Sequence, residues 1–414
     1  MKLMLGLGLF LAGLLTAQNL QQPDLSPRSY EAQGQDGESK AKRNAQQLAW
    51  RNMQFGFKLL KKLAFRNPRQ NIFFSPLSIS TAFSMLSLGA QDSTLAEIKQ
   101  GLSFRGMADR DLHEGFHYLL KRLNQEKQDV KMDLGNALFI DRRLKPQRNF
   151  LRAAKSMYNA EMLSTSFQNL KETQRQINGY ISQKTHGKIH NLVRSIDPGT
   201  VMILTNYIFF QARWKYEFDP KKTKEENFFV DERKTVKVPM MFRSGLYDIA
   251  YDDQLGCTIL EMPYYGNITV AFILPDKGKM QSLEEGLKVD IFSKWKSLLA
   301  KRVVDVFVPK LHITGTYNLK KTLSQLGISK VFEEHGDLSR ISPYRSLKVG
   351  EAVHKAELKM DEKGTEGAAG SGAQTLPMET PEKLKLDRPY MLLLYEKITP
   401  SMIFLAKIVD PRGQ

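Results

Sequence analysis

From Ala45 to Phe65 apolar residues return every three or four positions (Ala45, Leu48, Ala49, Met53, Leu60, Leu63, Ala64), and Asn67-Pro68 ends the run. That spacing predicts a long amphipathic helix over 45–65. Asn71-Ile72-Phe73-Phe74 reads as a short buried strand. Ser75-Pro76 then opens a second helix, with Ile79, Ala82, Phe83, Met85 and Leu86 on its apolar face, because proline suits a first helical turn whose amide needs no partner. Helical spacing continues to about Leu123, a strand is predicted over 132–140, and further helices over 148–158 and 169–181. Beyond residue 200 apolar or alternating runs separated by turn residues predict strands over 201–210, 236–242, 258–262, 269–274, 303–308, 391–395 and 402–408, with one helix over 319–326. No polar linker divides the two halves, so the expectation is a single α+β domain with large sheets over 42–414.

The amino terminus has a different pattern. Lys2 is followed by an almost wholly apolar run from Leu3 to Leu15 and by the small pair Thr16-Ala17, the layout of an export signal over about 1–20. The run falls short of the ~20 apolar residues that span a bilayer. Residues 21–41, polar and aperiodic, read as a flexible tail. The expectation is a secreted, extracellular, monomeric protein without a transmembrane segment. Cys257 is the sole cysteine, so no internal disulfide forms and packing must hold the fold. Its apolar surroundings, Cys257-Thr258-Ile259-Leu260, suit a buried small hydrophobe better than a nucleophile. Asn267-Ile268-Thr269 is a sequon for glycosylation in a secreted chain.

Charge adds a partner class. The formal net charge is +17 with a pI near 9.6, which favours polyanions such as sulfated glycosaminoglycans or acidic lipid surfaces. Basic runs occur at Arg142-Arg143-Leu144-Lys145 and from Lys58 to Lys62. No nucleic-acid motif is present. One motif points to metal chemistry: His113-Glu114-Gly115-Phe116-His117 fits the pattern in which two helical histidines hold zinc beside a general base. No third ligand follows in a suitable arrangement, and Gly115 weakens the helix, so two histidines on an amphipathic helix are the plainer reading.

Residues 362–382 are unlike the rest. Glycine and alanine dominate, and the segment reads as an exposed loop. At a period of two, one face carries Thr365, Gly367, Ala369, Ser371, Ala373 and Thr375, all small and uncharged, while Glu366 and Gln374 stand on the other. This is the pattern of a strand with one buried face, so the loop is suited to join a sheet as an added strand.

From here the chain resembles the serpin family over roughly residues 45–412. Glu362-Lys363-Gly364-Thr365-Glu366-Gly367-Ala368-Ala369 is similar to the serpin hinge, and Leu386-Asp387-Arg388-Pro389-Tyr390 to the signature near the C-terminus. The segments 71–90, 136–140, 185–189, 205–210 and 353–356 match family segments in the same order. The resemblance implies three β-sheets, about nine helices and an exposed reactive-centre loop. It implies a hinge at Gly364, Thr365, Gly367 and Ala369, a shutter of Ser75, Ser78, Asn206 and His354 beneath the main sheet, and Trp214 at the breach above it. It implies a suicide-substrate inhibitor, not an enzyme, cut at Met378–Glu379 and trapping a chymotrypsin-like, kallikrein-type serine protease by loop insertion. Met378 suits a pocket for a medium apolar side chain, and Leu376 is unsuited because Pro377 follows it. Gly367 departs from the alanine more usual at its position. The alternative is a non-inhibitory serpin acting as carrier or signalling ligand. Lys359 is a further departure, and with Lys188 and Lys363 it forms a candidate basic patch for a heparin-like accelerator. No metal or other cofactor is expected.

Overall fold

A computed structural model describes residues 27–125, 129–185, 187, 190–343, 347–365 and 380–413. The helix predicted over 45–65 forms, but it begins earlier: α1 runs from Pro27 to Arg66. Its first part falls in the stretch that the sequence pattern assigns to a tail, and it shows that a polar, aperiodic segment can take helical backbone. The chain divides after Lys40, and the elements below lie in the unit that begins at Ala41.

After α1 come β1 (Ile72–Phe74), α2 (Pro76–Ser87), α3 (Asp92–Gly101), α4 (Asp109–Leu123), β2 (Val130–Asp141), α5 (Arg148–Tyr158), β3 (Glu161–Thr165) and α6 (Leu170–Lys184). The strand-rich half holds β4 (Met202–Arg213), β5 (Lys224–Phe229), β6 (Thr235–Asp252), β7 (Cys257–Pro263), β8 (Ile268–Pro275), α7 (Met280–Gly286), α8 (Val289–Leu298), β9 (Ala300–Pro309) and β10 (Leu311–Asn318). The chain closes with α9 (Leu319–Ser324), β11 (Glu351–Met360), β12 (Gly364–Thr365), β13 (Glu382–Lys385), β14 (Tyr390–Glu396) and β15 (Ser401–Ile408).

Among the described residues the strands form two hydrogen-bonded sheets. One has six strands, in the order β10-β11-β4-β2-β3 with β12 against β4. The other has nine, in the order β1-β15-β14-β8-β7-β6-β9-β13 with β5 against β6. The resemblance counts three sheets. The 18-residue β6 pairs with β5 near one end, with β7 near the other and with β9 between, and so joins two of the three into one ladder.

The start of α2 shows how the sequence writes this fold locally. Ser75 is extended (φ −106°, ψ 105°), its hydroxyl accepts from the Ser78 amide at 3.1 Å, and Pro76 follows in the first turn. That is a side-chain N-cap with a pre-set helical φ. Every residue of α2 is buried. A large apolar core joins α1, α2 and α4 to both sheets. A smaller cluster sits where α6 crosses the six-stranded sheet: Ile177 and Ile181 pack with Phe139 of β2, Ile203 and Tyr207 of β4, and Val353 of β11.

Candidate functional site

The junction between β4 and β11 is where the six-stranded sheet changes character. The two strands are parallel, and they pair from Glu351↔Ile203 to Ala356↔Ile208. Beyond that point β11 continues to Met360 and β4 to Arg213, but the described pairing between them stops. At the end of β11 the chain reverses. The Asp361 amide donates to the Gly364 carbonyl at 2.8 Å, Gly364 donates back to Asp361 at 3.2 Å, and the Lys363 amide donates to the Asp361 carboxylate at 3.0 Å. After this turn Gly364 and Thr365 lie antiparallel to β4, opposite Arg213 and Ala212.

Only glycine fits the first of these positions. Gly364 has φ +132°, and a Cβ there would stand 2.3 Å from the Ala212 carbonyl oxygen and 2.9 Å from Arg213 Cα. Any side chain would therefore meet rigid backbone.

The turn is anchored from behind. Trp214 is buried and stacked on Tyr264 at 4.0 Å; its indole N–H donates to the Asp361 carbonyl at 2.9 Å and its amide to the Lys363 carbonyl at 3.0 Å. The Phe218 amide donates to the Glu362 carbonyl at 2.9 Å. The Glu362 carboxylate accepts from Lys310 Nζ and from the Thr223 hydroxyl, both at 2.8 Å. Burial alone would raise that carboxyl, but the hydrogen bonds from Lys310 and Thr223, with the Lys310 charge, outweigh it and hold it below its ordinary value.

Beneath the paired part of the junction lies a buried polar network. His354 Nε2 accepts from the Ser75 amide at 3.1 Å, which leaves the proton on Nδ1 to donate to Asn206 Oδ1 at 2.8 Å. The same oxygen accepts from the Ser78 hydroxyl at 2.5 Å, and Asn206 Nδ2 donates to Asn136 Oδ1 at 2.8 Å. All five residues are buried. With no charged partner, burial pushes His354 down to about 3, so the ring is neutral at physiological pH.

The residues expected at the shutter thus meet, and Trp214 stands at the hinge turn. Of the hinge residues, Gly364 and the Thr365 backbone are placed, while Gly367, Ala369 and the reactive bond Met378–Glu379 lie outside the described residues. Lys359 is exposed on β11 opposite His312, Lys363 sits in the turn, and Lys188 lies outside the described residues. Asn267 is exposed at the β7–β8 turn with φ +65°. Burial pushes the Cys257 thiol up to about 12, helped by the charges of Asp252 and Asp276, so the thiol is protonated and inert.

The zinc pattern is pulled apart. His113 is turned inward, Nδ1 at 2.5 Å from the Tyr158 hydroxyl, whereas His117 is exposed and Glu114 is paired with Arg110. Gly115 has a packing reason: a Cβ would press on the α1 backbone at Asn44, 3.2 Å away. Sequence reasoning missed Lys310 and Thr223, the side chains that hold Glu362. Nothing in their local sequence marks them, because they reach the hinge only through the fold.

Residues 51–411 match the family described as Serpin (serine protease inhibitor). The chain is a serpin. Serpin A12 (vaspin) of Rattus norvegicus is 66% identical over 411 residues, covering 99% of this chain and 100% of the relative. Alpha-1-antiproteinase of Callosciurus caniceps is 43% identical over 360 residues, 86% of this chain and 87% of the relative. In structure it is similar to human thyroxine-binding globulin complexed with its hormone, with TM-score 0.85 and 38% identity over 90% of this chain and 100% of that one. This serpin is of clade A and has the mixed α+β serpin fold, and its family is described by serine protease inhibition, not by catalysis. The globulin shows that the same fold also serves ligand binding. No helix among the described residues is long and apolar enough to cross a membrane.

Proposed function

We propose that this serpin is a secreted, single-use inhibitor of chymotrypsin-like, kallikrein-type serine proteases, with Met378–Glu379 as its bait bond. The observation that carries the reading is the hinge: Gly364 and Thr365 already pair antiparallel to β4 above a junction that is closed only in its lower half. An added strand would need that orientation and that opening.

The protease's serine oxygen attacks the Met378 carbonyl, the peptide bond to Glu379 breaks, and the new amine of Glu379 takes the proton. Met378 is left as an ester on the enzyme. The freed loop then continues the register that the hinge has begun. Each residue forward along the loop is one residue back along β4, so Met378 arrives level with Gly199, just past the β4 start at Met202. The fourteen residues from Thr365 to Met378 span roughly 46 Å as a strand, enough to carry the acylated enzyme from one pole to the other. The insertion gains ladder hydrogen bonds on both sides, so the intact state is held by a barrier. Two features set that barrier. The shutter network lies under the junction, and the small apolar cluster of α6 packs across it, touching β4 at Ile203 and Tyr207 and β11 at Val353. The small, uncharged face of the loop lets insertion compete with hydrolysis of the ester.

Lys359, Lys363 and Lys188 would serve a heparin-like accelerator or an acidic lipid, and Asn267 would carry a glycan. The test is incubation with a chymotrypsin-like protease. An adduct stable in SDS, and a loop-cleaved protein that melts well above the intact one, are expected. Cleavage at Met378 with no adduct and no rise in melting temperature would favour the carrier reading, which the likeness to thyroxine-binding globulin keeps as the second choice.

A further inference from the structure

The sequence from Arg142 to Ala160 holds six cations, Arg142, Arg143, Lys145, Arg148, Arg152 and Lys155, and no Asp or Glu. The fold gathers them on one surface at the pole away from the hinge. Val201, just before β4, accepts at 2.9 Å from the Asp141 amide at the end of β2. Arg142 and Arg143 follow at once, and the chain then enters α5. On α5 Phe150, Ala154 and Tyr158 are buried, which leaves Arg148, Arg152 and Lys155 exposed on the other face. A seventh cation joins from a distant segment. The Gln147 amide donates to the Ile341 carbonyl at 2.8 Å and its side chain to the Ser339 carbonyl at 2.6 Å, so exposed Arg340 stands beside the start of α5. Asp141 is committed to Arg143, at 2.8 Å, and Asp337 accepts from the Ser339 amide and hydroxyl. Arg142, Lys145, Arg148, Arg152 and Lys155 make no ion pair among the described residues.

From this juxtaposition we infer a second polyanion site, distinct from the lysines at the hinge, that binds a sulfated glycosaminoglycan chain. Three features select that occupant. Arginine outnumbers lysine, and its planar fork matches the oxygens of sulfate groups two at a time. Phe150 and Tyr158, the aromatic residues of the segment, are buried, and Leu144 packs on the core. Among its described residues the surface therefore offers no ring for a nucleic-acid base to stack on and no apolar wedge for a bilayer. What remains is dense, unneutralised charge, which suits a soluble polymer held by counterion release. The site lies beyond the 12-residue β4 from the hinge turn, roughly 40 Å away at the rise of a strand. A chain bound there would tether the protein to an extracellular matrix with the hinge end free.

The test uses the full-length protein and a heparin oligosaccharide of defined length, with Kd measured against salt. Charge reversal at Arg142, Lys145 and Arg148 together should weaken binding at least tenfold at 0.15 M salt. It should also flatten the log–log salt dependence by about two, the order expected for three cations. Lys359→Glu in the same assay should leave a binding phase that the triple variant removes. All three positions are exposed, so an unchanged melting temperature certifies that the triple variant is folded. Replacing the three arginines Arg142, Arg148 and Arg152 by lysine, which keeps the charge, should lose only part of the affinity. The inference is overturned if the triple variant binds like the parent, whatever Lys359→Glu does. It is also overturned if the triple substitution affects only binding to vesicles containing phosphoinositide.

Discussion

The lower and upper halves of the β4–β11 junction are made of the same two strands and behave as opposites. In the lower half six residue pairs hold the strands together, and Ser75, Ser78, Asn206 and His354 beneath them are joined by hydrogen bonds with no charge among them. In the upper half the strand pairing is replaced by a reversed turn, a glycine wedged against backbone, and an ion pair with one partner open to solvent. The lower half is stabilised by what is already formed. The upper half is held by anchors on Trp214 and Glu362 that leave β4's free edge available to a new strand. A sheet of this kind is shut at one end and primed at the other, and the difference lies in the side chains of a few residues and not in the strands.

The largest effect should come from putting a Cβ into the upper half. Gly364→Val cannot keep its contact with Ala212 and Arg213, so the hinge must leave the sheet edge. The expected outcome is a protein that is cut at Met378 yet traps almost no protease, read as the ratio of cleaved product to adduct. If trapping were undiminished, the hinge pairing would have no part in inhibition.

Next in size is the lower half. Asn206→Ala removes the acceptor of His354 and Ser78 and the donor to Asn136. Leaving buried polar groups unpaired costs ~3 kcal/mol in all. Urea denaturation should show that loss, and the intact variant should convert more readily to a heat-stable inserted form.

Acid should act on the lower half before the upper. His354 has a folded-state value near 3 against roughly 6.5 in the unfolded chain. Below that higher value the unfolded chain takes a proton that the folded one refuses, so stability is full above it and falls as pH drops toward 3, by up to about 1.4 kcal/mol per pH unit. His113, which burial against Tyr158 lowers to about 4, adds a similar slope from α4. Glu362 has the opposite chemistry but the same sign, since its carboxyl is held low: its contribution is lost only when pH falls below the ordinary carboxylate range. Melting temperature measured from pH 7 to 4 should therefore decline, and His113→Gln should reduce the decline without removing it. A flat profile would mean that His354 is not neutral and buried.

The smallest effect is expected at the upper anchor. Glu362→Gln keeps a partner for Thr223 but loses the Lys310 charge, and with Lys310 partly exposed the stability cost should be about 1 kcal/mol. Stopped-flow measurement should show faster insertion, because the turn is freer to leave. Slower insertion would reverse the role given to this pair.

Much of the fold was legible along the chain because local pattern carries it. Ser75-Pro76 announced a helix start that the structure reproduces as a capped turn. The runs at 201–210 and 402–408 read as strands because apolar residues fill both faces. Other elements escaped. β10 alternates cleanly in burial, but Thr, Gly and Tyr along it do not look apolar. β11 mixes His354, Lys355, Glu357 and Lys359 into a central strand. The tail's composition gave no hint of the helix from Pro27. At the site the small-residue face of the loop was readable, whereas the need for glycine at 364 and the clamp by Lys310 were not, because both depend on what the fold packs against the turn.

The sequence by itself determined the kind of many elements, the capped start of α2, and a loop whose alternating small residues suit insertion. These follow from side-chain size, polarity and backbone preference over a few neighbouring residues. Only the tertiary structure decided that His354 meets Ser75 and Asn206, positions 279 and 148 residues away, and that β11 pairs with β4 for half its length. Backbone hydrogen bonds between distant strands are available to any extended segment, so the pattern along one strand does not name its partner. The partner is chosen when the whole core closes.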